Sequence, residues 1–189
     1  MNKYRVNVRS KELPEPGDIA PDDDSPRLRL AGLVRESAVD GPGFRLVVFA
    51  QGCPHACKGC QNPQTHSFEG GFVSSVRRMM EVILHNGMIS GITLSGGEPF
   101  CQPAAFAALA KQAKIHGLHV VTYTGYTVEQ LWKTGSPDIA ALLKSSDWLV
   151  DGKYIEEERD LLLKFRGSRN QRIIDIKKSR PGNIVEIEV

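Results

Sequence analysis

This chain has little that would place it in a membrane, an export route or a nucleic-acid complex. No apolar run in its 189 residues approaches the ~20 that a membrane helix needs. Met1 to Arg9 is charged and lacks the apolar core of a signal peptide. Net charge is only +2, and no block of like charge is long enough to argue for nucleic acid. These shortages predict a cytoplasmic protein with no nucleic-acid partner and no membrane partner. Cysteine is scarce too, at four residues, and where thiols stay reduced, clustered cysteines bind metal more often than they pair. The remainder, 41% hydrophobic and 24% charged, is ordinary globular composition of one-domain length.

Residues 1–26 are rich in proline and acid (Pro14, Pro16, Pro21, Asp22, Asp23, Asp24, Pro26) and read as a mobile extension. The folded domain is expected over 27–189. Leu28 to Val34 is a candidate strand, and Asp40-Gly41-Pro42-Gly43 is a strong turn signal. Leu46 to Ala50 is a continuous apolar run of strand length, as in a strand buried on both faces of a parallel sheet. Val73 to His85 carries apolar residues at helical spacing. Then follow a strand at Ile92–Leu94, a helix over Ala104 to His116 closed by Gly117, and a β-branched strand over Leu118 to Thr124. Two short helices (Thr127 to Trp132, Ile139 to Lys144) lead into a strand at Trp148–Val150, with weaker strand signals over Ile173 to Ile176 and Ile184 to Val189. This alternation predicts an α/β fold with a parallel sheet and right-handed crossovers. A closed eightfold barrel takes ~200–250 residues, so the roughly 160 left here predict a partial, open parallel β/α barrel.

The four cysteines are unevenly placed. Cys53, Cys57 and Cys60 form a CxxxCxxC cluster just beyond the first strong strand, at the edge where α/β proteins build their sites, while Cys101 stands alone. An electron-carrying [4Fe–4S] cluster is normally closed by four cysteines. Three leave one iron open, and an open metal site is where a substrate binds. The competing reading is a structural zinc site completed by Cys101 or His55, although zinc favours paired short spacings. Gly52 permits a sharp turn, and Gly59 is expected to leave room for a ligand beside the cluster. Ser95-Gly96-Gly97-Glu98-Pro99, after the next strand, offers exposed backbone and a carboxylate able to bind an ammonium group.

CxxxCxxC followed by this glycine-rich turn resembles the radical S-adenosylmethionine (SAM) superfamily. Asp40-Gly41-Pro42-Gly43-Phe44-Arg45 looks like the DGPG turn of its glycyl-radical-enzyme activases. Gly59, Gln61-Asn62-Pro63, Tyr123-Thr124-Gly125-Tyr126, Asp151-Gly152-Lys153-Tyr154 and the stretch from Phe165 to Arg172 are similar to the activating proteins of anaerobic ribonucleotide reductase. The likeness runs from about Leu28 to Ile176.

The resemblance implies a barrel of the radical SAM type and a [4Fe–4S] cluster on Cys53, Cys57 and Cys60, with SAM on the fourth iron. It implies SAM contacts from Gly59, Cys60, Gln61, Gly96, Gly97, Glu98, Thr124, Asp151 and Lys153, and contact of Asp40 with a substrate loop. Reductive cleavage of SAM would then lead to a glycyl radical on the large subunit of anaerobic ribonucleotide reductase, with a flavodoxin-like electron donor. The same residues also suit an activase of the pyruvate formate-lyase type, a small radical SAM enzyme acting on a metabolite, or a non-catalytic iron–sulfur or zinc module. Asp151 and Lys153 also suit a surface ion pair, and His55 suits either a hydrogen bond to a cluster sulfur or a solvated loop. Cys101 is expected to be a bystander. His66, His85, His116 and His119 have no constellation around them. Arg77, Arg78, Lys111 and Lys114 read as solvated helix faces or as a docking patch for an acidic donor.

Overall fold

The computed structural model describes residues 15–189. Its centre is a seven-stranded open sheet built from β1 (Arg27–Ser37), β2 (Arg45–Ala50), β3 (Phe72–Ser75), β4 (Gly91–Gly96), β5 (His119–Tyr123), β6 (Trp148–Asp151) and β7 (Arg172–Asp175). The order across the sheet is β3-β1-β2-β4-β5-β6-β7. The four central strands, β2, β4, β5 and β6, run parallel, and β1, β3 and β7 are antiparallel at the edges. The expected parallel sheet is therefore its middle.

Strand periodicity divides the residues between two faces. Leu46, Val48 and Ala50 of β2, Ile92 and Leu94 of β4, Val120 of β5, Leu149 of β6 and Ile174 of β7 join one core. That core is completed by α1 (Val76–His85), α2 (Pro103–Ile115), α3 (Val128–Lys133) and α4 (Pro137–Ser145). Met79, Ile83, Phe106, Leu109 and Leu142 are fully buried in it, each worth about 1.5–3 kcal/mol of apolar transfer. The other face holds a small cluster of Val121, Val150 and Ile173, flanked by Tyr123, Trp148, Phe165 and Ile187. No helix joins that cluster among the described residues. The sheet thus carries its helices on one face and leaves the other for a site.

Local signals explain the helix ends. The Ser75 hydroxyl accepts from the Arg78 N–H (3.0 Å) and starts α1, and Thr127 with Gln130 forms a reciprocal capping box on α3. Gly117, at φ +77°, ends α2 where glycine was expected to. Val73 does not begin α1, because its segment pairs with β1 as β3 and helical backbone starts only at Val76. Ile184 to Val189 makes no named strand; it meets β7 through one bridge, Ile174 to Glu186, and the bond Ile187 N–H to Ile173 O (2.7 Å).

The expected extension needs correcting over its described part. Arg78 donates to Glu15 O (2.7 Å) and Ser74 to Pro16 O (2.5 Å), and Asp23 is buried, accepting from Ser25 (2.6 Å) and from Ser75. Arg77 pairs with Asp22, Asp23 and Asp24 at 3.9, 3.5 and 3.1 Å. Residues 15–26 are thus tied to β3 and α1; Met1 to Pro14 lie outside the described residues. Two more cations of the expected helix faces are paired: Arg78 also meets Glu81 (2.7 Å) and Lys114 meets Asp147 (2.8 Å).

Asp147, just before β6, is a structural carboxylate. It accepts from the Val120 N–H (2.9 Å), Lys114 (2.8 Å) and Lys177 (2.5 Å). Burial alone would raise its pKa, but these donors hold it at about 2, below the ordinary 3.8. A carboxyl group depressed on folding stabilises the fold above its unfolded pKa, and that contribution is lost as pH falls through the folded one. The window here is therefore about pH 4 down to 2. Denaturant unfolding at pH 7 and pH 2.5 should show a loss of stability in the native chain that is smaller in Asp147→Asn by on the order of 1 kcal/mol.

Candidate active site

The helix-free face opens into a cleft of about 290 Å³ running from the C-terminal ends of β2, β4 and β5 toward the turn after β1. Cys53, Cys57 and Cys60 line it together with Gln61, Gly96, Gly97, Thr124 and Asp40. Eight of the residues expected at the site therefore share one space.

The cysteine loop is held by backbone bonds. Gly52 N–H donates to Thr65 O (2.8 Å), Cys53 N–H to His66 O (3.1 Å) and Cys60 N–H to Cys57 O (3.2 Å). Asn62 N–H points at the Cys60 sulfur (3.4 Å) and the His55 N–H at that of Cys53. Burial pushes the Cys53 thiol up, and the His55 N–H opposes it. Burial, helped by the nearby charges of Glu98 and Cys53, pushes Cys101 up to about 11. Because the thiolate is the form that binds metal, and because Cys101 is not on the cleft, it is the poorest ligand of the four.

Gly96 and Gly97 present backbone to the cleft because nothing larger fits. Gly96 sits at φ +95°, and a Cβ there would come within 2.6 Å of Phe49 Cα. Gly97 N–H donates to Ala50 O and Glu98 N–H to Gly52 O, both 2.8 Å, which fastens this turn to the end of β2.

Glu98 corrects its expected role. It is fully buried and off the cleft. Its Oε2 accepts from the His55 ring (2.8 Å), the Thr124 hydroxyl (3.0 Å) and the Gly125 N–H (2.9 Å), and its Oε1 from the Phe100 N–H (3.0 Å). Asp151 is likewise spent: it is 1% exposed, accepts from Val128 N–H (2.8 Å), and holds Arg172 at 2.9 and 2.6 Å. Arg172 also meets Glu129 (2.8 Å), so the carboxylate of β6 braces β7 and α3 rather than a ligand. Lys153 is exposed and off the cleft. Gly59 lies against Glu156, whose Oε1 would be 2.6 Å from a Cβ placed there.

Asp40 reaches the cleft through a well-tied turn. Ser37 donates to its carboxylate, and the Thr93 hydroxyl to its carbonyl (2.7 Å). Arg45, fully buried and pulled down to about 10 by that burial, donates to Thr93 (2.7 Å) and Pro42 O (2.9 Å) beneath it. The far wall comes from the segment around Phe165 to Arg172. Gly167 and Gln171 line the cleft, with Gln171 accepting from the Gly167 N–H (2.9 Å) and donating to Gly152 O (3.0 Å).

His55, and Tyr123 and Tyr154 of the quoted motifs, also line the cleft, together with two residues given no role from the sequence, Phe49 and His66. His66 sat among histidines with no evident setting, yet its Nε2 is buried without a partner on the cleft wall. Its distance of six residues from Cys60 was the available signal. These features fit an iron–sulfur group beside a small polar ligand: three thiols on one cavity, a backbone cradle that a Cβ would fill, and a buried ring nitrogen awaiting a partner. Among the described residues no group of three His, Cys, Asp or Glu side chains is drawn together as for a single ion.

Fold and cleft together define the class, an α/β protein built around one iron–sulfur centre, and the comparisons agree. The family described as "4Fe-4S single cluster domain" matches residues 39–174. An anaerobic ribonucleoside-triphosphate reductase-activating protein of Vibrio cholerae is 36% identical over 142 residues, 70% of this chain and 88% of that protein. A pyruvate formate-lyase-activating enzyme of Clostridium pasteurianum is 30% identical over 75% of this chain and 59% of its own length. The solved structure of QueE from Escherichia coli aligns at a TM-score of 0.43 with 17% identity over 53% of each chain, too partial to carry an argument. The chain belongs to the radical SAM activating enzymes, in the family of anaerobic ribonucleoside-triphosphate reductase-activating proteins. Among the described residues no helix is long and apolar enough to cross a membrane.

After anaerobic reconstitution with iron and sulfide, Cys101→Ala should keep the visible absorption of the cluster. Cys53→Ala, Cys57→Ala and Cys60→Ala should each lose most of it, read as absorbance near ~400 nm and iron per chain.

Proposed function

We propose that this chain is an activase that installs a glycyl radical on the large subunit of an anaerobic ribonucleotide reductase. The observation that supports it most is the meeting, in one cleft on the helix-free face, of three thiols, the Gly96–Gly97 backbone and Asp40. An open sheet with helices on one side suits a partial barrel of the radical SAM type. Cys53, Cys57 and Cys60 would hold the cluster by their thiolates, three for four irons. Gly96 and Gly97 offer their backbone to the amino acid end of SAM, and Gln61 and Thr124 offer polar side chains along the same wall. When bound, the cluster and SAM would supply a one-electron reductive cleavage of the sulfonium, the electron entering through the cluster.

The protein's contribution is geometry and shelter. Glu98, bonded to His55, Thr124 and Gly125, keeps the glycine turn and the cysteine loop in register. Asp40, fixed by Ser37 and Thr93 at the other end of the cleft, is placed to meet the glycine-bearing loop of the partner. The open side of the sheet gives a macromolecular loop a way in that a closed barrel would deny. A flavodoxin-like protein supplies the electron.

Two measurements test this. Adding SAM to the reduced, reconstituted protein should change its EPR spectrum and yield 5′-deoxyadenosine, and adding the reductase subunit should then produce a glycyl-radical doublet. No spectral change and no nucleoside would remove the radical SAM reading. A doublet on a pyruvate formate-lyase but none on the reductase would reassign the partner. Asp40→Asn should cut the doublet about tenfold or more while leaving SAM cleavage without partner near its native level.

A further inference from the structure

Glu98 has no contact with solvent, yet only one of its four donors comes from the cysteine loop. Thr124 and Gly125 follow β5, and Phe100 lies in Glu98's own turn. The exception is His55, whose Nε2–H reaches Oε2 at 2.8 Å with its side chain 6% exposed. The site around the ring is built to hold it. Tyr126 meets it edge-on with centroids 4.4 Å apart, and a Cβ on Gly125 would lie 2.6 Å from Nε2. At its other end His55 donates its backbone N–H to the Cys53 sulfur. The next residue, Ala56, stands at φ 47°, a left-handed conformation that non-glycine residues keep only where their surroundings enforce it.

We propose that His55 is a positioning residue for the open corner of the cluster: by gripping Glu98 it clamps the cysteine loop to the Gly96–Gly97 edge and so sets the seat of SAM. The proposal rests on the function proposed above. Its logic is mechanical. Cys53 would hold one iron of the cluster and the glycine turn would seat the SAM that meets the open one, and the two segments follow different strands, β2 and β4. Backbone bonds join them only at Gly52, where Glu98 N–H meets Gly52 O. Beyond Gly52 no backbone bond among the described residues joins the loop to the glycine turn, and the His55–Glu98 bond is the side-chain tie between them. Without His55 the Glu98 carboxylate keeps three donors and the loop keeps its bonds to Thr65 and His66, so folding and iron binding persist while the angle between loop and turn relaxes.

The test compares the native protein with His55→Leu, which keeps bulk without a donor, and His55→Gln, which restores a donor of similar reach. All three are reconstituted anaerobically, assayed for iron and sulfide, reduced and titrated with SAM by EPR. His55→Leu should hold near-native iron but need about tenfold more SAM for the half-maximal spectral change, the loss expected for one charge-assisted hydrogen bond. His55→Gln should recover most of that loss. An unchanged titration in His55→Leu overturns the proposal, as does an equal defect in both variants. Loss of iron from His55→Leu overturns it too, because His55 would then retain the cluster rather than position it. A native protein that ignores SAM fails the underlying function instead, and is told apart because no substitution is involved.

Discussion

The structure turns on a carboxylate that never sees solvent. Glu98 gathers four donors from three places: its own turn, the end of β5 and the cysteine loop. A buried carboxylate without partners is among the costliest groups a fold can contain, so the segments that satisfy it are held together. Those segments carry the cleft's chemistry. The charge that looked like a ligand is the joint that lets backbone and thiols act as ligands.

The second constraint is one-sidedness. Helices cover only the face carrying Leu46, Val48, Ile92 and Leu94, and the opposite positions of the same strands supply Phe49, Ser95 and Tyr123 to the cleft. Period-two alternation makes this division unavoidable once the helices have chosen a face. Asp40 joins the site from the far end of the sheet, because the turn after β1 is drawn onto buried Arg45 and Thr93. A site some strands long is thereby open along its flank, which suits a substrate delivered as a loop of another protein.

Much of this was legible beforehand. The strands were found where apolar or β-branched runs stood between turn residues, and CxxxCxxC with Gly96–Gly97 marked the cleft. The charged residues were the least legible, for one reason. Glu98, Asp151 and Lys153 were judged by what their side chains can bind, but a sequence does not say which charge is buried against which donor. Asp151 found Arg172 and the Val128 N–H; Glu98 found His55. Asp22 to Asp24 looked like solvated leader because their partner, Arg77, lies 53 to 55 residues away. Gly59 looked like space for a ligand and lies against Glu156.

The sequence by itself determined the chemistry the chain can carry. Three closely spaced thiols and a glycine pair after a strand are local patterns, and local spacing is what covalent connectivity controls. Only the tertiary structure decided which groups face the cleft and which are spent holding it. That depends on pairings across dozens of residues, where burial makes an unpaired charge intolerable and so selects its partner. His55 shows the division most plainly. Its place between two cysteines is written in the chain, and its hold on Glu98 exists only in the fold.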